Sequence, residues 1–161
     1  MKGFIVYPTY ETIENKTIVY FYGRLENKES FVVIKHLKPY FFIKKEDLKK
    51  AQENIKKYKT EVKETDFLTF KKQETLKLIS ENQEIQNKLS KELHELGLET
   101  FEADIKPYNR IIIDENISGS IEISGDYELG EKVTRIYKNP EIRPIDFKPK
   151  LKILSLDIES G

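Results

Sequence analysis

The chain has 161 residues, 28 Lys+Arg against 28 Asp+Glu, 38% hydrophobic residues, nine Tyr and nine Phe; it is too apolar and aromatic for a disordered chain, and its length points to one domain with room for a stub of a second. Its zero net charge excludes holding nucleic acid by bulk attraction, and the absence of Cys excludes a disulfide scaffold, a thiolate zinc site and a cysteine nucleophile. The two histidines, His36 and His94, stand at unrelated positions and read as structural, and no apolar run approaches the roughly 18 residues of a membrane span or a signal-peptide core, so a soluble, cytoplasmic protein is expected.

The first 44 residues read as β. Residues 3–10 and 17–25 are rich in β-branched and aromatic side chains, and Glu26-Asn27-Lys28 forms a short turn. Residues 30–35 and 40–44 follow, divided by Pro39, so the segment reads as a meander of antiparallel strands. A helix is predicted over 46–58, where Leu48, Ala51, Ile55 and Tyr58 share one face. Strands are predicted at 60–65 and 73–79. A second helix follows over 82–96, with Ile85, Leu89, Leu93 and Leu96 as its buried stripe and Gly97 as its left-handed terminator. Residues 100–105 and 110–114 read as strands around a Lys106-Pro107-Tyr108-Asn109 turn. Further strands are predicted at 118–124 and 132–137. Pro140, Pro144 and Pro149 then space out an extended basic linker, and 151–158 is an apolar β-run. Strands and helices mixed without βαβ regularity predict an α+β fold: an antiparallel β-meander with two helices packed on mixed sheets.

The zero net charge is a sum of unlike parts. Residues 35–72 carry a surplus of six positive charges, 73–131 a deficit of nine, and 132–152 a surplus of five. Such asymmetry points to a basic side and an acidic side of one surface. Lys44, Lys45, Lys49, Lys50, Lys56 and Lys57 fall largely on the polar side of the first helix, where they can follow a phosphate backbone or simply face solvent.

The run LKILSLDIES places Asp157 and Glu159 at the end of an apolar strand. Side chains at i and i+2 of a strand share a face, and two carboxylates so placed can hold a divalent cation such as Mg²⁺. Taken alone, D-x-E is a weak motif. In context, KILSLDIES after a Pro-rich basic linker resembles the first exonuclease motif of B-family DNA polymerases. GFIVYPTYET at the start, LKPYFFIKKEDL at 37–48, FEADIKPYNRIII at 101–113 and IEISGDY at 121–127 extend that resemblance over the whole chain. It is similar to the N-terminal region of bacterial DNA polymerase II and its archaeal relatives.

The resemblance implies a division of the chain: a template-side N-terminal domain over 1–145, a linker over 146–150, and the first strand of a 3′–5′ exonuclease domain over 151–161. It implies that Asp157 and Glu159 bind Mg²⁺ in a parent DNA-directed DNA polymerase. It also implies that this piece is inactive by itself, because a two-metal site needs more ligands than one strand offers. Expected partners are single-stranded template DNA and the remaining polymerase and exonuclease domains, in replication or repair. Tyr7, Pro39, Tyr40 and Arg110 match a template-uracil pocket of the archaeal members, with Lys106 and Tyr108 beside them. D-I-K-P-Y-N-R departs from the archaeal D-I-P-F-A-K-R pattern, and Ile79-Ser80-Glu81-Asn82 replaces its proline-valine stretch. A free-standing template-reading or uracil-sensing module is the alternative. A small metal-dependent nuclease is a third reading, and it requires further carboxylates beside Asp157.

Overall fold

The computed structural model describes residues 1–158. The chain folds as α+β, with eleven strands in two sheets and three α-helices among the described residues. Strands β1 (Lys2–Ile13), β2 (Lys16–Leu25) and β3 (Ser30–Leu37) form the predicted antiparallel meander. β4 (Tyr40–Lys44) leaves that sheet after Pro39 and starts the second one. A 3-10 turn at Lys45–Asp47 leads into α1 (Leu48–Lys57), so the first helix begins more tightly wound than its periodicity predicts. β5 (Glu61–Leu68) and β6 (Glu74–Ile79) form a hairpin, α2 spans Gln83–Glu95, and β7 is the two-residue Thr100–Phe101. The second sheet has the order β5-β6-β4-β7, antiparallel throughout.

The segment after β7 departs from the sequence reading. Residues 106–109 are not a free turn and 110–114 are not a strand; together they form a third helix, α3 (Pro107–Asp114). Pro107 is at the start of the helix, where its missing N–H costs nothing. Pro107, Arg110 and Ile111 are buried at helical spacing, while Ile113 faces solvent. A run of three isoleucines has only a modest preference against helix, and packing overrides it. The strand expected over 100–105 is accordingly cut to two residues.

β8 (Ser120–Ser124), β9 (Glu128–Leu129), β10 (Arg135–Lys138) and β11 (Glu141–Pro144) complete the first sheet, ordered β11-β8-β1-β2-β3-β10-β9. β10 runs parallel to β3 and the other pairings are antiparallel, so this sheet is mixed. The first four residues expected of the linker, after Pro140, are in fact β11: proline is tolerated at its last position because it lies on the sheet edge. The predicted strand at 151–158 has no regular structure, and Ile153, Leu154, Leu156 and Ile158 are exposed. Among the described residues no helix is long and apolar enough to cross a membrane.

Each sheet has its own core. Val19, Phe21, Phe31, Val33, Ile121 and Tyr137 pack with Ile111 of α3 under the first sheet. Phe41, Ile43, Leu76 and Leu78 pack with Ala51 and Ile55 of α1 and Leu89 and Leu93 of α2 under the second. The α2 stripe shifts from the expected one: Leu96 is exposed and Leu98, beyond the helix, takes its place in the core. All three helices end alike. The N–H groups of Thr60, Leu98 and Ile117 reach back to the carbonyls of Ile55, Leu93 and Ile112, with Lys59, Gly97 and Asn116 in left-handed conformation just before them, the Schellman arrangement.

Candidate nucleic-acid interface

The two sheets meet at Arg110. Its guanidinium, 4% exposed, donates from Nη1 to Glu102 Oε2 at 2.9 Å and from Nη2 to the Tyr40 carbonyl at 3.0 Å and the Glu102 carbonyl at 3.3 Å. Glu102, its acidic partner, bends into a left-handed backbone conformation (φ 60°) just after β7. The guanidinium also lies 4.0 Å from the Tyr40 ring centroid, and Lys77 Nζ lies 3.8 Å from the same ring. Tyr40 donates its hydroxyl to Asp114 Oδ1 at 2.7 Å. Burial, and then that hydrogen bond, push its phenol up to about 12. Arg110 and Tyr40 are thus brought together, but their polar groups are directed to internal partners. Pro39 is buried beside them, its carbonyl accepting from the Ser80 N–H at 2.9 Å.

Lys106 and Tyr108 line a separate recess of about 430 Å³ with Asp104, Ile105, Asn109, Ile112 and Ile113. Lys106 Nζ lies 6.0 Å from the Tyr108 ring centroid, and the Tyr10 ring centroid lies 6.0 Å from the same ring. This recess pairs an aromatic wall with one cation, which suits a planar, electron-rich ligand.

Tyr7 lies elsewhere. Gly3 and Ile5 of β1 pair with Leu25 and Gly23, and a bulge then leaves Val6 without a partner, so Tyr7 pairs with Tyr22. Simple alternation from Gly3 and Ile5 points Tyr7 into the core; the extra residue turns it to the outer face, where it is 60% exposed. Its ring centroid is 6.4 Å from that of Tyr22, which is 6.3 Å from that of Tyr20. The sequence reading missed Tyr20 and Tyr22. The signal was present in the alternation of 16–24, where Lys16, Ile18, Tyr20, Tyr22 and Arg24 fall on one face and Val19 and Phe21 on the other.

The lysines of the first helical region are partly engaged. Lys44 pairs with Glu99 at 3.2 Å, Lys45 with Glu64 at 3.2 Å, and Lys57 with Glu92 at 2.7 Å. His94 Nε2 hydrogen-bonds Thr100 Oγ1 at 2.7 Å, in keeping with a structural role.

Asp157 is exposed on the stretch without regular structure, and Glu159 lies outside the described residues. Among the described residues no three His, Asp or Glu side chains gather closely enough to share a metal ion.

No protein-family model and no curated protein sequence matches the chain. Among solved structures, that of the family B DNA polymerase from the hyperthermophilic archaeon Pyrobaculum calidifontis matches 92% of this chain with a TM-score of 0.76 and 20% sequence identity. The chain spans 21% of the length of that polymerase chain. The likeness is one of fold.

Proposed function

We propose that the chain is the template-side N-terminal domain of a B-family DNA polymerase, running on toward a 3′–5′ exonuclease domain. The observation that carries this reading is the agreement of two independent signals. The fold matches part of a family B DNA polymerase over nearly the whole chain, and the D-I-E-S sequence follows that fold where the family resemblance requires it. In this reading the domain contacts single-stranded template in the cytoplasm, braces the exonuclease and polymerase domains, and does no chemistry itself. Asp157 and Glu159 are the exonuclease acids, and the further ligands of a metal site come from outside this chain.

The test is a titration of single-stranded DNA into the purified 161-residue protein at low ionic strength. Weak, salt-sensitive binding is expected, because the net charge is zero and only local cations are available. No binding at high micromolar protein sinks the reading. The grouping of Pro39, Tyr40 and Arg110 favours a second reading, template uracil capture. Tighter binding of a uracil-containing strand than of its thymine counterpart supports it, and equal affinities reject it.

A further inference from the structure

The outer face of the first sheet carries more aromatic surface than a solvated face requires. An antiparallel sheet packed on one side alternates apolar-in with polar-out. Here α3 packs on the inner face, against Val19 and Phe21, yet the outward positions of β2 between Lys16 and Arg24 are Ile18, Tyr20 and Tyr22, whose cross-strand neighbours are Glu11, Thr9 and Tyr7 of β1 and His36, Ile34 and Val32 of β3. The row ends in a cation on both sides, Lys16 before Ile18 and Arg24 after Tyr22. Among the described residues no carboxylate stands within 4.0 Å of either cation; Arg24 donates only to the Lys28 carbonyl, at 3.4 Å. The acid beside the rings, Glu11, accepts the Tyr20 hydroxyl and so holds that ring in place. A recess of about 280 Å³ lined by Thr9, Tyr10, Glu11, Tyr20 and Tyr22 opens next to the row.

We infer that the row Tyr7–Tyr22–Tyr20 is a stacking platform for single-stranded nucleic acid, with Arg24 and Lys16 taking phosphates at its two ends. Aromatic rings in series accept bases of any identity, and flanking cations supply the backbone contact. Alternate positions along one strand keep the rings in line, and the bulge at Val6 adds Tyr7 to the line. The inference rests on the reading of the chain as a DNA-contacting domain and names the surface that makes the contact.

The experiment uses the full chain and a fluorescein-labelled oligothymidylate of about a dozen nucleotides, within the range one such module covers. Tyr20→Leu and Tyr22→Leu keep an apolar side chain but remove the ring. Each is expected to weaken binding about tenfold. Phe70→Ser, at a fully exposed hairpin tip of the other sheet, is expected to change nothing. Should the leucine variants fail to fold, Arg24→Gln carries the test, since its side chain is exposed; a several-fold loss and a shallower salt dependence are expected. Wild-type binding that survives both the double leucine substitution and Arg24→Gln overturns the platform and leaves the polymerase reading standing. No binding by the wild type overturns both. A wild-type dimer that the leucine substitutions dissociate assigns the face to self-association and overturns the platform.

Discussion

At the scale of single residues, the clearest case is Glu92, which ties α2 to α1. It accepts from Asn54 Nδ2 at 2.9 Å, Lys57 Nζ at 2.7 Å and the Tyr58 hydroxyl at 2.6 Å. These hydrogen bonds, from Lys57 first, then Tyr58 and Asn54, lower its carboxyl from 4.5 to about 2, and the same contact raises Lys57. A carboxyl depressed in the folded state stabilises the fold above its unfolded value, and that contribution disappears as pH falls through the folded value. Wild type is therefore expected to lose stability between about pH 4.5 and about pH 2 in a way that Glu92→Gln does not. Melting temperatures of the two proteins across that range check it: the gap is widest near neutral pH and narrows on acidification. A constant gap would show that the carboxylate charge does not matter. Nothing in the local pattern around Glu92 marks it as a hub, because Asn54, Lys57 and Tyr58 meet it only after two helices far apart in the chain are packed together.

At the scale of elements, two glycines separate backbone conformation from close packing. Gly97 ends α2 at φ 77° and has open space around it. Gly97→Ala meets nothing and costs only the left-handed backbone penalty, about 1 kcal/mol. Gly23 lies in β2 against the β1 bulge, where an added Cβ would stand 2.0 Å from the Phe4 carbonyl oxygen and 2.7 Å from the Phe31 ring. Gly23→Ala must move a backbone atom, so a loss of about 3 kcal/mol is expected. Denaturant unfolding of the two variants measures both, and equal losses would refute the distinction. Gly97 was legible in the sequence because a glycine after a helical stripe has one common use. The bulge was not, since Gly3–Ile5 and Thr9–Ile13 each look like ordinary strand and only the register reveals the extra residue. The helix at Pro107–Asp114 was hidden for another reason. Its isoleucine run carries the β-branched signature of a strand, and the burial of Arg110 that selects the helix depends on Glu102 and the Tyr40 carbonyl.

At the scale of the molecule, two cores share one chain, and few polar contacts join them. The Gln83 N–H donates to Thr17 Oγ1 at 2.8 Å, Asn82 Nδ2 to the Asn15 carbonyl at 3.1 Å, and Arg110 of the first core reaches Tyr40 and Glu102 at the margin of the second. Asn82 also caps α2 by accepting from the Ile85 N–H at 2.9 Å, so the start of that helix is fixed to the β1–β2 turn. Arg110 is the most buried charge of the group, and its loss removes a donor from one carboxylate and two carbonyls. Glu102 is 34% exposed and can turn to water, so the loss lies below that of a fully buried pair, at about 2 kcal/mol, and falls at the joint between the cores. The wild type is expected to unfold in one transition, with core amides of both sheets exchanging through the same global opening. In Arg110→Ala the amides of α3 and β7 should exchange first, and the Val19–Phe21 and Phe41–Ile43 amides should no longer share one opening free energy. Arg110→Lys should restore little, since an ammonium cannot span the Glu102 carboxylate and the Tyr40 carbonyl as the planar guanidinium does. Hydrogen exchange followed residue by residue decides the point. If Arg110→Ala lowers all core amides equally, the two sheets form a single cooperative unit that does not depend on this contact.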